Sequence, residues 1–334
     1  MSRPRVTVLL TGGTIGSAGR DDLDRLDYVD HGRMLDEQES LALLRLPDEV
    51  EVDVRRFAGV PSTAADEGFW RRLRQEVLDV VAADPGLAGV VITHGTATLE
   101  ETAYVLHLTL PVDVPVVLVG AQRPPTALGS DAPLNLRSAV LVAASPQARG
   151  HGVLVVVDDR VLSARDVVKT SNAALDTFRS RDHGALGDVD PYGGVWFYRR
   201  QLRAHTVDSE FAVRFDELPP WPVVEIVAVW AGADGRVVER PVADGAAGLV
   251  VASLPPSMNP SAVEVAIQRA VEAGVVVVAG SRALTGRVTH RAAFDERGLV
   301  GSDTLSMPHA RLLLTLCLAA GLSRDEVVAA FARY

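Results

Sequence analysis

Val6-Thr7-Val8-Leu9-Leu10-Thr11-Gly12-Gly13-Thr14-Ile15-Gly16 is a short apolar run that stops in a glycine-rich turn. The pattern returns at Val90-Val91-Ile92-Thr93-His94-Gly95-Thr96-Ala97-Thr98. Each run reads as a buried strand ending in a turn. In an open α/β sheet, ligands bind at the carboxyl ends of the strands. Two hydroxyls, those of Thr14 and Thr96, are therefore expected where two such turns meet. A threonine hydroxyl is a weak nucleophile until a base or a fixed lysine activates it. The glycines beside it let the backbone come close to a substrate.

Working outward, β-type runs alternate with amphipathic helical stretches through the first half. Val50 to Phe57, Gly89 to Ile92, Val114 to Val119 and Gly152 to Val157 read as strands. Phe69 to Ala83, Glu100 to Leu110 and Asn135 to Ala144 read as helices. This alternation predicts an α/β fold, with a parallel sheet covered by helices on both faces. Thr98 and Glu101 have the spacing of a capping box, so a helix is expected just after Ala97. Thr96 then sits against a helix N-terminus, where N–H groups stabilise negative charge.

Around Arg200 to Pro222 the pattern breaks up, with prolines at 219, 220 and 222. The reading is a larger N-terminal domain over 1–200, a linker over 201–222 and a smaller α/β domain over 223–334. In the latter, Val223 to Trp230, Gly248 to Ser253 and Val275 to Gly280 read as strands. Pro260 to Ala273, Met307 to Ala320 and Arg324 to Arg333 read as helices.

Composition narrows the function. The 334 residues suffice for two ordinary domains, and 48% hydrophobic with 23% charged residues is a globular balance. A net charge of −10 argues against a nucleic-acid surface. No apolar run is long enough to span a bilayer. Met1-Ser2-Arg3-Pro4 runs straight into the first strand, which leaves no room for a signal peptide. The single cysteine, Cys317, lies in an apolar helical run and reads as core packing. Together these features point to a cytoplasmic protein. The histidines show no metal-ligand spacing, so neither metal nor cofactor is expected.

At these residues the chain resembles the bacterial-type L-asparaginase family, tetrameric amidohydrolases with a threonine nucleophile. The resemblance extends to Val119-Gly120-Ala121, to Ser130-Asp131 through Asn135-Leu136, to Val168-Lys169-Thr170 and to Phe331-Ala332-Arg333-Tyr334. It implies a flavodoxin/Rossmann-like larger domain and a homodimer or homotetramer with shared sites. It also implies double displacement, in which a threonine attacks the amide, ammonia leaves, and water hydrolyses the acyl-enzyme. Thr14 is then the nucleophile. Tyr28, in a charged surface lid after the first strand, orients it. Thr96 and Lys169 form the second half of the site, and His94 is structural.

The resemblance also locates the substrate contacts, and here the chain departs from the pattern. Ser62, in Gly59-Val60-Pro61-Ser62, matches the serine that holds an α-carboxylate. Gly95 and Ala121 are expected among the substrate-binding residues, and Asn259 is expected to approach a neighbour's site. The family holds the α-ammonium with three polar groups. Here Thr63 and Ala97 replace two of them, and the third falls near Ala293. A site without carboxylates spends free energy desolvating an ammonium and recovers little. The expected partner is a small amide whose α-nitrogen is acylated, cyclised or absent. Without an aspartate at 97, desolvation is expected to lower the pKa of Lys169, and a neutral amine can still serve as a base.

Two other readings stand beside this one. The first is an L-asparaginase with weak activity on free asparagine, using water in place of the lost carboxylates. The second is a catalytically silent ligand-binding homologue, against which the joint retention of Thr14, Thr96 and Lys169 speaks. A nucleotide-binding turn is a poor fit, since Gly12-Gly13-Thr14-Ile15-Gly16 is not G-x-G-x-x-G and no P-loop lysine follows. A tRNA-dependent amidotransferase subunit fits poorly with the acidic balance.

Overall fold

A computed structural model describes residues 3–59 and 61–334. Met1 and Ser2 of the N-terminal segment, and Val60 of the Gly59–Ser62 motif, lie outside the described residues. The chain divides into two compact units, Met1–Ser209 and Glu210–Tyr334.

The first unit is built on an eight-stranded sheet. Its parallel part consists of Glu51–Arg56, Arg5–Leu10, Gly89–Thr93, Val116–Val119 and Val153–Val157, in that spatial order. The inner strands are apolar runs because helices cover both faces, so every residue of Gly89–Thr93 and Val116–Val119 is buried. Beyond Val153–Val157 the sheet turns antiparallel through Arg160–Ser163, Gly187–Val189 and Val195–Phe197. These strands have only three or four residues, too few for a readable alternation.

The topology decides where a ligand can sit. From Arg5–Leu10 the chain passes to a neighbour on one side, then crosses to Gly89–Thr93 on the other. The sheet therefore has its switch point between the two threonine-bearing strands, and crevices of this kind open at the carboxyl ends. Leu10 pairs with Thr93, so both turns leave the sheet at one level.

Helices cover the strands much as the periodicity predicts. Glu67–Ala83 buries Phe69, Trp70, Leu73 and Val77, and is capped by the Asp66 side chain on the Phe69 N–H. Leu99–Thr109 begins directly after Thr98, and Ala132–Ala144 packs on the central strands.

The second unit carries a four-stranded parallel sheet in the order Val224–Ala228, Gly248–Ser253, Val276–Ser281 and Leu299–Gly301. Its helices include Ser261–Glu272, Met307–Ala319 and Arg324–Arg333, the last closed by a Ser323/Glu326 capping box. Phe331 and Tyr334 are buried, and the Tyr334 hydroxyl accepts from the Glu210 N–H at 3.0 Å. Cys317 is fully buried, and that burial pushes its thiol pKa up. Among the described residues, no helix is long and apolar enough to cross a membrane.

Candidate active site

The two turns are fastened together where they leave the sheet. Thr11 Oγ1 donates to the Thr93 carbonyl at 2.6 Å, and the Thr11 N–H reaches Thr93 Oγ1 at 3.3 Å. Two residues on, the backbones touch. Gly13 has φ +84°, and a Cβ there would lie 2.3 Å from the Gly95 Cα. The position demands glycine on both counts, the left-handed backbone and the space. Thr14 follows and is buried at 9% exposure. Its Oγ1 lies 2.6 Å from the hydroxyl of Tyr28, brought over by the segment after the first strand.

The second turn is more deeply set. Gly89–Thr93 runs into His94, Gly95 and Thr96, all buried. His94 Nδ1 lies 2.9 Å from the Gly95 carbonyl, and its Nε2 lies 3.1 Å from Thr102 Oγ1. A carbonyl only accepts, so Nδ1 carries the proton and Nε2 receives the Thr102 hydroxyl proton. Trp70 Nε1 donates in turn to Thr102 at 2.9 Å. Burial lowers the His94 pKa to about 4, so the ring is neutral near pH 7. The helix begins at Thr98 as expected, but the capping box does not form. The Thr98 hydroxyl donates to the Ser62 carbonyl at 2.8 Å, so it ties the helix start to the Ser62 loop.

Lys169 ends a three-residue strand, Val167–Lys169, paired antiparallel with Phe178–Ser180. Its Nζ donates to Thr96 Oγ1 at 2.7 Å. Thr96 Oγ1 also lies 3.2 Å from Gln122 Oε1, to which it donates. The Gln122 amide nitrogen spans to the carbonyls of Asn172 and Ala174 at 3.3 and 3.2 Å. The Ser130–Leu136 motif supports this arrangement. Asp131 accepts from the Gln122 and Arg123 N–H groups, each at 2.9 Å, and Asn135 donates to the Gly120 carbonyl at 3.0 Å.

A carboxylate does stand beside Lys169, though not at position 97. Glu100, in the first turn of the helix that follows Thr96, accepts from the Lys169 backbone N–H. It is buried, and burial raises its pKa to about 7, with Arg181 and Lys169 opposing the rise. Desolvation lowers the Lys169 pKa, and Glu100 opposes that shift. Sequence reasoning missed both Glu100 and Gln122. Glu100 reads as an ordinary acidic residue in a helix's first turn, and Gln122 sits in a loop with no periodic signal.

The expected substrate contacts fall in three places. Ser62 lies over Gly95, where an added Cβ would be 2.6 Å from the Ser62 Oγ. Thr63 and Ala97 are exposed. Ala121 is buried in the sheet's core, so it has only backbone to offer a ligand. Asn259 and Ala293 belong to the second unit, where Asn259 Nδ2 donates to Glu264 at 3.1 Å. Ala293 lies in the short helix Ala292–Asp295. Among the described residues, no group of three or more His, Cys, Asp or Glu side chains is placed to hold a metal ion.

Comparison with known proteins agrees over the whole length. Residues 5–203 match the family described as Asparaginase, N-terminal, and residues 223–331 match the Glutaminase/Asparaginase C-terminal domain. L-asparaginase 2 of Bacillus subtilis is 36% identical over 332 residues, covering 99% of this chain and 87% of that protein. L-asparaginase 2 of Escherichia coli is 36% identical over 338 residues, covering 100% of this chain and 94% of that protein. The crystal structure of a probable cytoplasmic L-asparaginase from Campylobacter jejuni superposes with a TM-score of 0.90 at 32% identity, over 99% of this chain and 100% of that one.

Proposed function

The chain belongs to the asparaginase family of amidohydrolases, and we propose that it hydrolyses a carboxamide through an acyl-enzyme on Thr14. The observation that carries this reading is a pairing. A phenol rests on the Thr14 hydroxyl and an amine on the Thr96 hydroxyl, at turns whose backbones touch.

The proton inventory follows from these contacts. With Lys169 charged, Nζ donates to Thr96, and the Thr96 proton goes to Gln122. Thr96 can then accept nothing more from Lys169's direction. With Lys169 neutral, the hydroxyl rotor turns, Thr96 donates to the amine lone pair, and its oxygen is free to take a proton from an attacking water. Desolvation of Lys169 favours that neutral form. In the first step the Thr14 oxygen bonds to the amide carbon, its proton passes to the leaving nitrogen, and the C–N bond breaks to release ammonia. In the second step water attacks the ester, and the Thr14 hydroxyl is restored.

The substrate is an amide without a free α-ammonium. Ala97 offers a methyl group at the position beside Thr96, and Thr63 offers at most a hydroxyl. An ammonium placed beside these exposed side chains would find no charged partner, so neither residue favours it over a neutral group. A second reading, weak hydrolysis of free asparagine, draws support from the relatives' names, which include Glutaminase-asparaginase of Acinetobacter glutaminasificans at 34% identity. The site residues Thr14, Tyr28, Thr96 and Lys169, the contact residues, a homodimeric or homotetrameric assembly and a cytoplasmic location all belong to this proposal.

The test of the acyl-enzyme is direct. Ammonia release is measured on L-asparagine, L-glutamine and N-acetyl-L-asparagine, and intact-mass spectrometry looks for an acyl adduct on quenched enzyme. An adduct on the peptide carrying Thr14 supports the reading. Turnover retained in Thr14→Ala overturns it.

A further inference from the structure

Asp24 is a buried carboxylate in a segment that otherwise faces water. It is 8% exposed, while its neighbours Leu23, Leu26 and Val29 are 72%, 77% and 71% exposed. A carboxylate is withdrawn from water only where donors replace the hydration it loses. Here the donors are backbone N–H groups of the same segment. Oδ2 accepts from the Arg20 N–H at 3.0 Å and Oδ1 from the Tyr28 N–H at 2.9 Å, with the Arg20 guanidinium 3.6 Å away. The Asp24 N–H is itself tied to Asp21 Oδ1 at 3.0 Å.

These bonds fix the loop from both sides of Asp24, and Tyr28 is the residue at its far end. Tyr28 opens the one-turn helix Tyr28–His31, and its hydroxyl meets Thr14 Oγ1 at 2.6 Å. The segment is anchored at two further points. The Gly19 N–H donates to Thr126 Oγ1 at 2.9 Å, and the Leu128 N–H donates to the Asp22 carbonyl at 2.7 Å. Its base is the short antiparallel pair of Ser17–Ala18 with Arg33–Met34. Anchored at the base and at Thr126, the loop still needs an internal brace to aim Tyr28, and Asp24 is the group that touches both ends.

We infer that Asp24 is the positioning residue of this lid, holding the Tyr28 phenol over the Thr14 hydroxyl, with Thr126 as the catch that keeps the lid shut. The inference rests on the reading of Thr14 and Tyr28 as reacting groups. The N–H donors hold the Asp24 carboxyl below the usual carboxylate range, Arg20's first, so the brace is anionic at neutral pH.

The experiment compares wild type, Asp24→Asn, Asp24→Ala and Thr126→Val in the full chain. Asn keeps one acceptor but turns an NH2 toward the other donor, so its effect falls between those of Asp and Ala. In Asp24→Ala, kcat on the best amide falls about tenfold or more while KM changes less, because misplacing a reacting group acts on the chemical step. Hydrogen exchange over residues 19–30, and tryptic cleavage after Arg20 and Arg25, both rise at least about fivefold, since local opening becomes easier. Melting stays within about 2 °C of wild type, as expected for a solvent-facing segment. Thr126→Val raises the same exchange and cleavage. Unchanged exchange and cleavage in Asp24→Ala overturn the inference, and so does a loosened lid with full kcat. If wild type hydrolyses none of the amides, the functional reading falls, and exchange and proteolysis alone decide whether Asp24 holds the lid.

Discussion

The two threonine turns leave the sheet side by side, yet opposite means hold them. Thr96 is fixed from within: Lys169 and Gln122 bracket its hydroxyl, and a buried helix starts three residues on. Thr14 is fixed from outside, by a tyrosine carried on a segment whose large apolar side chains face solvent. One half of the site is therefore built into the fold. The other half is completed by a surface loop with large exposed apolar side chains, the kind of element that can open and close over a substrate.

Substitutions at the two hydroxyls test that contrast first, with the largest effect. Thr14→Ala is expected to lower kcat by about a thousandfold or more at unchanged melting temperature, because it removes the proposed nucleophile from a turn. Thr96→Val leaves Lys169 without its hydroxyl partner, so it is expected to lower kcat severely and also melting by a few degrees. Steady-state kinetics and calorimetry on the pair distinguish the two halves. Equal melting losses would break the comparison.

Gly13→Ala tests the contact between the turns. The added methyl would meet the Gly95 backbone, which cannot move aside as a side chain can. The expected cost is about 2–4 kcal/mol in denaturant unfolding, with activity lost.

The built-in half also responds to pH. His94 has a folded pKa of about 4 against 6.5 when free, so the unfolded chain binds more protons between those values. Its contribution to stability is therefore present above pH 6.5 and is lost as the pH falls toward 4, up to about 3 kcal/mol. Urea unfolding of His94→Gln should show a shallower decline than wild type across pH 6.5 to 4. Parallel curves would remove His94 from the account.

The smallest effect expected is at Ala97. Ala97→Asp puts a carboxylate beside Lys169, which should raise the lysine pKa and improve kcat/KM on free asparagine about tenfold, in keeping with a charge-assisted hydrogen bond. No change would show that position 97 does not govern recognition of the ammonium.

Much of this was legible in the sequence, and the reasons are physical. Both strand–turn units announce themselves as apolar runs stopped by glycine, and the helices Leu99–Thr109 and Ala132–Ala144 by their apolar content. The Thr98/Glu101 spacing predicted a capping box, but the Thr98 hydroxyl goes to Ser62 instead, a tertiary partner that no local pattern encodes. Glu100 was hidden for a related reason. Its partner is on a strand some seventy residues away, whose three residues are too short to register as periodic. Asp24 carries no motif at all. Only its burial marks it out.

The central claim is that two hydroxyls in touching turns act on an amide that lacks a free α-ammonium. The ratio of kcat/KM for N-acetyl-L-asparagine to that for L-asparagine, measured on wild type at neutral pH, tests it most directly. The acetylated amide is expected to be favoured by about tenfold or more, the scale of one charged contact withheld. A wild type that hydrolyses free asparagine much faster than the acetylated form would contradict it, and Ala97 would then be a replacement for which other groups compensate.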